Sequence, residues 1–427
     1  MDILNASDKD FRKKLQAITS RGEADTSKVE DAVKEIITGI RRHGDKALFS
    51  YTNRFDGLSI DKKTIKVSDA EFADARKAVS KGIVESLKLA AKRIEAFHRR
   101  QLEESWFFHE DDGVTLGQMV RPLERVGAYV PGGKATYPSS VLMNVIPAKV
   151  AGVKEVIVCS PTPGGEVNPY VLVAAEIAGA DAVYKVGGAQ AVAAMAYGTP
   201  SIPRVDKIIG PGNIYVATAK RLVFGVVDID MIAGPSEILV VADESANPAF
   251  IAADLLSQAE HDEMASSILV TTSIKIADET IKELTKQLKK LSRKEIAEKS
   301  LNNYGAVILV NNLDEAAAIV NEIAPEHLEL SVDRPFELLP KIKNAGAIFL
   351  GHYTPEAVGD YVAGPNHTLP TGGTARFFSP LSATDFLKRS SIIYYSEASL
   401  KKIGMDAVRI AEAEGLTAHA NSVKIRL

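Results

Sequence analysis

The sequence of 427 residues contains a single cysteine, Cys159, and a single tryptophan. One cysteine excludes an intramolecular disulfide and every zinc site that is built from several cysteines. The 51 basic and 55 acidic side chains leave a net charge of −4 with histidine neutral, so the strong positive excess typical of nucleic-acid binding is absent. No apolar run approaches the roughly 18 residues of a membrane helix, and the start has no apolar signal core. We therefore expect a cytoplasmic protein with no nucleic-acid or membrane partner.

The residues that are present predict a large folded protein. Hydrophobic residues make up 46% of the chain and charged residues 25%, which are globular proportions. The length corresponds to two to three domains. The first 105 residues are charged and helical in pattern. Short β-branched runs then alternate with helical patterns, and the runs cover 155–159, 182–186, 207–209, 237–241, 267–272, 306–310, 328–332 and 347–350.

This alternation predicts parallel sheets that are covered by helices. Eight strands are compatible with one barrel, but a Gly-Pro break within the segment 226–243 favours two smaller sheets. We predict an α/β fold: two doubly wound, Rossmann-like domains with a helical N-terminal arm and a small C-terminal segment. The predicted bounds are 1–105 for the arm, 106–235 for the first domain, 236–380 for the second and 381–427 for the C-terminal segment.

Three glycine-bearing segments follow predicted strands. No GxxxxGK[ST] loop is present, which argues against a Walker-type nucleotidase. The segment 210–215 resembles GxGxxG but has Tyr215 in place of the third glycine, so it is either a dinucleotide turn or simply a tight strand-to-helix turn. The segments 129–133 and 186–190 also end strands. Because ligands bind at the carboxyl ends of strands in open α/β sheets, these segments predict a ligand site of unspecified chemistry.

The end of the helix at 247–259 has the residue types of a metal site. Gln258 and His261 share one helix face, and Asp254 lies one turn earlier on it. Zinc takes nitrogen and oxygen ligands where sulfur is absent. A polar surface helix end explains the same pattern, and the choice between Gln258 and Asp254 as a ligand stays open.

Other candidate groups occur later in the chain. Glu326 and His327 precede a strand, and an imidazole suits general acid–base chemistry, although a structural pair is the plainer interpretation. Asp360 and His367 lie in the irregular segment 354–380, and such long loops are often functional.

The remaining histidines give weaker indications. His43 and His98 lie among arginines on charged helices, and we expect both to be solvated. Glu414 and His419 flank the start of the last helix, where a late histidine is usually a surface residue.

Long motifs in this sequence resemble those of histidinol dehydrogenases over nearly the whole chain. They are RVGAYVPGGKATYPSSVLMNVIPAKVAGV (125–153), KVGGAQAVAAMAYGT (185–199), GPGNIYVATAK (210–220), AGPSEILVVAD (233–243), DLLSQAEHD (254–262), APEHLEL (324–330) and GDYVAGPNHTLPT (359–371). The resemblance is weakest in the first hundred residues.

The resemblance implies an enzyme that oxidises L-histidinol through L-histidinaldehyde to L-histidine, the last step of histidine biosynthesis, with NAD and Zn²⁺. It implies zinc ligands at Gln258, His261, Asp360 and His419, and an acid–base pair at Glu326 and His327. It implies NAD contacts at Tyr129, Gln190 and Asn213, and substrate contacts at Ser236, His327, His367 and Glu414 besides the metal ligands.

The resemblance also implies an intertwined homodimer, in which the C-terminal segment completes the partner's site. Three alternatives remain open from the residues alone. One is a zinc and NAD dehydrogenase of another small alcohol. The second is a metallohydrolase that uses a metal, a glutamate and a histidine, and the third is a non-catalytic protein that binds a small molecule without turnover.

Overall fold

The N-terminal part of the chain is mainly helical but contributes one strand. The computed structural model describes residues 1–19, 27–132 and 137–427, so Gly133 of the predicted strand-end motif lies outside the described residues. The elements here are β1 (Asp2–Asn5), α1 (Phe11–Thr19), α2 (Ser27–His43), α3 (Asp45–Asp56), α4 (Asp69–Ala78) and α5 (Lys81–Arg99). Ser68 and Glu71 close a capping box at the start of α4, which satisfies backbone N–H groups that the helix leaves free.

The middle of the chain builds a five-stranded parallel sheet. Its elements follow an antiparallel pair and are β2 (Trp106–His109), β3 (Val114–Pro122), β4 (Arg125–Tyr129), α6 (Pro138–Val150), β5 (Glu155–Cys159), α7 (Pro169–Ala178), β6 (Ala182–Tyr184), α8 (Gly188–Tyr197), β7 (Lys207–Ile209), α9 (Ile214–Val223) and β8 (Asp228–Ile229). The strand order is β6-β5-β4-β7-β8. The winding reverses between β4 and β7, which creates a crevice at their carboxyl ends.

A second parallel sheet follows. Its elements are β9 (Glu237–Ala242), α10 (Pro248–Ala259), β10 (Ser266–Thr271), α11 (Ile274–Leu288), α12 (Lys294–Tyr304), β11 (Gly305–Leu309), α13 (Leu313–Ile323), β12 (His327–Ser331), α14 (Pro335–Leu338) and β13 (Ala347–Leu350). The order is β1-β11-β10-β9-β12-β13. The edge strand β1 comes from the N-terminal arm, and four residues were too few for the sequence pattern to predict it.

The last part of the chain crosses back to the first half. It contains α15 (Glu356–Val358), a π-helical turn (Gly359–Ala363), two 3₁₀ turns (Thr374–Arg376 and Ala383–Phe386), β14 (Leu387–Tyr395), α16 (Glu397–Ala413) and α17 (Thr417–Lys424). β14 pairs antiparallel with β3, and β3 pairs with β2. This three-stranded antiparallel sheet was not predicted, because its strands are largely exposed and show no clear buried face.

The N-terminal helices complete both faces of the first sheet. Alternate strand residues face opposite sides, so Val156 packs in a core with Ile94 of α5, while Ile157 packs in another with Ile36 of α2. Cys159 is fully buried beside Ile157 as a small core residue, and burial raises the pKa of its thiol to about 12. In the described part of the chain, no helix is long and apolar enough to cross a membrane.

Candidate active site

A buried cluster of acids and imidazoles lies at the amino edge of the second sheet. β9 and β12 are neighbours there, with His327 opposite Ile238. Glu237 and Glu326 bind each other reciprocally: the Glu237 N–H donates to Glu326 Oε2 at 2.9 Å, and the Glu326 N–H donates to Glu237 Oε2 at 3.2 Å. The two adjacent strand starts therefore hold Glu326 and His327 in fixed positions.

His327 is oriented by groups on both sides of its ring. It is 3% exposed, and its Nδ1 lies 3.0 Å from the carbonyl oxygen of Glu237. Because a carbonyl only accepts, Nδ1 carries the proton, and Nε2 is the basic nitrogen of the neutral ring. Nε2 lies 3.4 Å from Asp360 Oδ1 and 3.9 Å from Glu356 Oε1.

The surrounding carboxylates change the proton affinity of His327. Burial alone would lower the pKa of the ring, because desolvation penalises its charged form. The carboxylates of Glu356, Glu326 and Asp360 overcome this and raise the His327 pKa well above 6.5. Burial alone would raise the pKa of Asp360, because desolvation penalises its charged form as well. The neighbouring His327 imidazole outweighs this and lowers the Asp360 pKa below its usual value.

Glu326 and Glu356 respond mainly to burial. Desolvation raises the pKa of Glu326 to about 8, against the lowering effect of the His327 charge. Desolvation likewise raises the pKa of Glu356 to about 7. Before any ligand binds, both side chains are therefore poised to exchange protons near neutral pH.

A second pair of acids lies behind Glu356. Glu329 Oε1 accepts the backbone N–H of Glu356 at 2.8 Å, and this anchors α15 to β12. Burial raises the pKa of Glu329 well above its usual value and that of Asp254 to about 6. The Asp254 carboxyl, left open as a rival ligand by the sequence, pairs here with Glu329 rather than with His327.

The end of α10 brings two further predicted residues to the cluster. Gln258 is 1% exposed, its Nε2 lies 3.5 Å from His327 Nδ1, and its buried Oε1 has no hydrogen-bond partner. His261 donates from Nδ1 to the Ser257 carbonyl at 2.8 Å, which leaves Nε2 as its basic nitrogen. An electrostatic interaction with His261 also acts to lower the pKa of Asp360.

The loop after α15 carries His367 to the helices of the first sheet. His367 Nε2 lies 3.3 Å from Ser140 Oγ of α6. Its neighbour Asn366 donates to the Met143 carbonyl at 2.6 Å, and lies 3.5 Å from the ring of His98. His98 is fully buried, so the expectation that it is solvated was wrong: its ring packs beneath this loop.

The structure does not bring every predicted site residue together within one chain. Ser236 directly precedes Glu237 at the cluster. Glu414 and His419 lie exposed at the end of α16 and on α17, and no described contact joins them to the cluster. Among the described residues, one group of His, Cys, Asp and Glu side chains is close enough together to hold a metal ion: His327, Glu356 and Asp360, whose potential ligand atoms lie within 4.8 Å of one another.

Glu356, like Glu237 and Glu329, is a residue of this site that sequence reasoning missed. Asp360 follows it by four residues, a spacing that brings two side chains together on a helix, but the irregular sequence 354–380 gave no indication that residues 356–363 are helical. Only the packing of α15 against β12 brings its carboxylate to His327.

The residues predicted to contact the nucleotide lie at the carboxyl edge of the first sheet. The Tyr129 hydroxyl at the end of β4 accepts the Gly188 N–H at 3.2 Å. Gln190 is 1% exposed, and its Nε2 has no hydrogen-bond partner. Asn213 caps α9, its Oδ1 accepting the Tyr215 and Val216 N–H groups at 3.0 and 3.2 Å.

The close approach of β4 and β7 requires glycine at this edge. Gly210 has φ +102°, and a Cβ there would lie 2.1 Å from the Tyr129 carbonyl oxygen. A Cβ on Gly212 would lie 2.4 Å from Val216 Cγ1. The turn therefore brings the start of α9 to the reversal point of the sheet, where α/β proteins bind ligands.

Two doubly wound sheets with a buried acid–imidazole cluster define an α/β enzyme. A family model described as histidinol dehydrogenase matches residues 19–427. A histidinol dehydrogenase of Geobacter sulfurreducens is 60% identical over 428 residues, covering 100% of both chains. One of Aquifex aeolicus is 55% identical and covers 100% of this chain and 99% of that one.

A solved structure agrees with these relatives. The crystal structure of histidinol dehydrogenase from Elizabethkingia anophelis matches with a TM-score of 0.94 at 39% identity, covering 100% of this chain and 98% of that chain. The chain belongs to the histidinol dehydrogenase family. It is accordingly an oxidoreductase of histidine biosynthesis.

Proposed function

We propose that this chain oxidises L-histidinol through L-histidinaldehyde to L-histidine in one active site, with NAD as the hydride acceptor and with bound zinc. The observation that carries the proposal is the buried His327, whose Nε2 faces an acidic pocket while Nδ1 is held by the Glu237 carbonyl. An imidazole fixed in this way is a general base for an alcohol.

The donor set at the cluster fits a zinc ion. The Oε1 atom of Gln258 is buried and has no hydrogen-bond partner. His261 donates its Nδ1 proton to the Ser257 carbonyl, and a hydrogen bond of this kind orients a ligating imidazole. Asp360 adds a carboxylate whose pKa is lowered. These three residues would hold the metal, with His419 from a second subunit as the fourth. When bound, zinc supplies an orienting template and a Lewis acid for the amine and imidazole of the substrate.

The first oxidation needs a base at the alcohol. His327 in its neutral form accepts the hydroxyl proton at Nε2 while the carbon loses a hydride. The aldehyde that forms stays bound in the buried cluster, which protects it from side reactions. His367 and Ser236, which lie at the rim of the cluster, position the substrate together with Glu414 of the second subunit.

The second oxidation needs water. Glu326, next to His327 on the same strand start, removes a proton from a water molecule that adds to the aldehyde. The hydrate is an alcohol again, so His327 accepts its proton in a second step of the same kind. One base used twice explains why a single cluster suffices for both steps.

The nucleotide site we propose is the carboxyl edge of the first sheet. Tyr129, Gln190 and Asn213 converge there on the reversal point between β4 and β7. NAD bound at this edge supplies the hydride acceptor. The unpartnered Nε2 of Gln190 offers a donor for a polar group of the nucleotide.

We further propose a cytoplasmic homodimer. Glu414 and His419 are exposed and apart from their own cluster, as they should be if they serve the partner's site. The proposed division of the chain remains 1–105, 106–235, 236–380 and 381–427, with the last segment crossing to the partner.

Product identification tests the proposed reaction. Purified protein with L-histidinol and excess NAD should yield L-histidine, with little free aldehyde, because both steps occur before release. Accumulation of L-histidinaldehyde without L-histidine would contradict the assignment of both oxidations to one site.

A further inference from the structure

A buried ion pair lies beneath the proposed nucleotide edge and has no role in the chemistry described above. Lys220 of α9 and Asp230, which follows β8, form a salt bridge in which the two side chains are only 3% and 1% exposed. Both belong to segments that run into the site, since Lys220 ends the motif that begins at Gly210, and Asp230 begins the segment that leads to Glu237.

Both partners of the pair bind the same glycine. Asp230 Oδ2 accepts the Gly210 N–H at 2.7 Å, and Lys220 Nζ donates to the Gly210 carbonyl at 2.9 Å. The second oxygen, Asp230 Oδ1, accepts the Met231 N–H at 2.7 Å. The main-chain polar groups of Gly210 are therefore held on both sides by side chains of opposite charge.

Stability alone does not explain such an arrangement. Removing two charges from water costs about as much as their attraction returns, and apolar residues of similar volume often serve a core equally well. Gly210 has a backbone conformation that only glycine adopts readily. What the pair supplies is a fixed orientation for this peptide.

We propose that Lys220 and Asp230 are positioning residues for the dinucleotide: they hold the Gly210–Asn213 turn in the conformation that receives it. This inference rests on the proposed function, since NAD is the nucleotide concerned. Preorganisation of this kind lowers the cost of ordering a turn when a ligand binds. Loss of the pair should weaken NAD binding and leave the cluster around His327 unchanged.

The test is a neutral double variant, Lys220→Met with Asp230→Asn, which removes both charges and keeps the side-chain shapes. The NAD dissociation constant from calorimetry and the KM for NAD should both rise by about tenfold or more, as expected when a binding turn is misplaced. The KM for L-histidinol and the zinc content should stay close to those of the wild type.

The matched control is Lys207→Met with Asp228→Asn. Lys207 and Asp228 also form a salt bridge on this sheet, at 2.9 Å, with side chains 8% and 51% exposed. This pair lies at the amino ends of β7 and β8, away from the carboxyl edge that we propose for NAD. This variant should bind NAD as the wild type does.

Unchanged NAD binding in a folded Lys220/Asp230 double variant would overturn the inference, and so would an equal loss in the control. If the double variant does not fold, Asp230→Glu keeps the charge but displaces the carboxylate, and it should weaken NAD binding with zinc content retained. Wild-type affinity in that variant would also overturn the inference. Wild-type protein that neither binds nor reduces NAD would instead contradict the proposed function.

Discussion

At the scale of the residue, His327 carries most of the proposed chemistry. Its ring is fixed by the Glu237 carbonyl on one side and surrounded by carboxylates on the other. Those carboxylates raise the pKa of the ring, which makes neutral His327 a stronger base. The protonated ring must therefore lose a proton before it can accept one from the substrate. The same environment that makes His327 reactive therefore makes it sensitive to pH.

Replacement of the base should separate catalysis from metal binding. His327→Asn should lower kcat by roughly 10²–10⁴-fold, the usual contribution of a general base. Zinc content, measured by elemental analysis, should stay near that of the wild type, because the proposed ligands are other residues. The control is His43→Asn, an exposed histidine at the end of α2, which should be fully active. Loss of zinc in His327→Asn would make His327 a ligand, as its proximity to Glu356 and Asp360 allows.

The pH profile follows from the raised pKa values. Glu326, with a pKa of about 8, and His327, with a pKa well above 6.5, accept protons only after each has lost one. Both become competent as pH rises, so kcat/KM for L-histidinol, which reports the free enzyme, should increase from about pH 7 to about pH 9. A flat profile, or one that falls over this range, would contradict their roles as bases.

The individual site residues show how far the sequence alone could go. From the residues, the spacing of Gln258 and His261 indicated a metal, but Asp254 stayed equally plausible until its carboxyl was found beside Glu329. Glu356 gave no sequence signal. Contacts between residues distant in the chain decide these cases, and local spacing contains no information about them.

At the scale of the element, the long segment 354–380 is held by a few buried polar contacts. Asn366 is 4% exposed; it donates to the Met143 carbonyl at 2.6 Å and accepts the Thr368 N–H at 2.8 Å. These bonds fix the loop against α6 and set the position of His367. The irregular sequence is therefore ordered by tertiary hydrogen bonds instead of by its own helix or strand.

Removal of this anchor should weaken both the fold and substrate binding. Asn366→Ala leaves buried partners unsatisfied, which costs about 1–3 kcal/mol for each group. The melting temperature should fall, and the KM for L-histidinol should rise because His367 shifts. The control Asn311→Ala removes an exposed side chain that binds Glu315 and should change both quantities little. An unchanged KM in Asn366→Ala would contradict the positioning of His367 by this loop.

The regular elements were the most predictable part of the fold. The runs predicted at 155–159, 207–209 and 347–350 match β5, β7 and β13 residue for residue. For β5 and β7 the reason is that strands buried on both faces are continuous apolar runs, whereas β13 is a partly exposed edge strand that is itself an apolar run. The antiparallel sheet of β2, β3 and β14 was missed, since its exposed strands have no such pattern. The pairing of β14 with β3 joins residues 265 to 281 positions apart, which no local rule predicts.

At the scale of the whole molecule, the antiparallel sheet that joins the C-terminal segment to the first half exposes apolar side chains. Phe108 of β2 and Ile393 of β14 both lie in register with Leu116 of β3 and therefore share one face of this sheet, and they are 46% and 71% exposed. Contiguous exposed apolar groups are typical of interaction surfaces. In the homodimer proposed above, a second copy of the chain covers this face, and Glu414 and His419 reach the partner's cluster.

Subunit mixing tests this arrangement. His327→Asn and His419→Asn should each be nearly inactive as homodimers. After joint unfolding and refolding in equal amounts, half of the dimers carry one intact site, so about a quarter of wild-type activity should return. No recovery, with mixed dimers demonstrated by native mass spectrometry, would show that each chain completes its own site.

The proposed metal-dependent double oxidation can be measured as NADH formed per L-histidinol consumed, with and without prior removal of metal by a chelator. We expect two NADH per substrate, with activity lost on chelation and restored by zinc. One NADH per substrate would remove the role of Glu326 in hydrating the aldehyde. Full activity after verified removal of the metal would contradict the zinc site built on Gln258, His261 and Asp360.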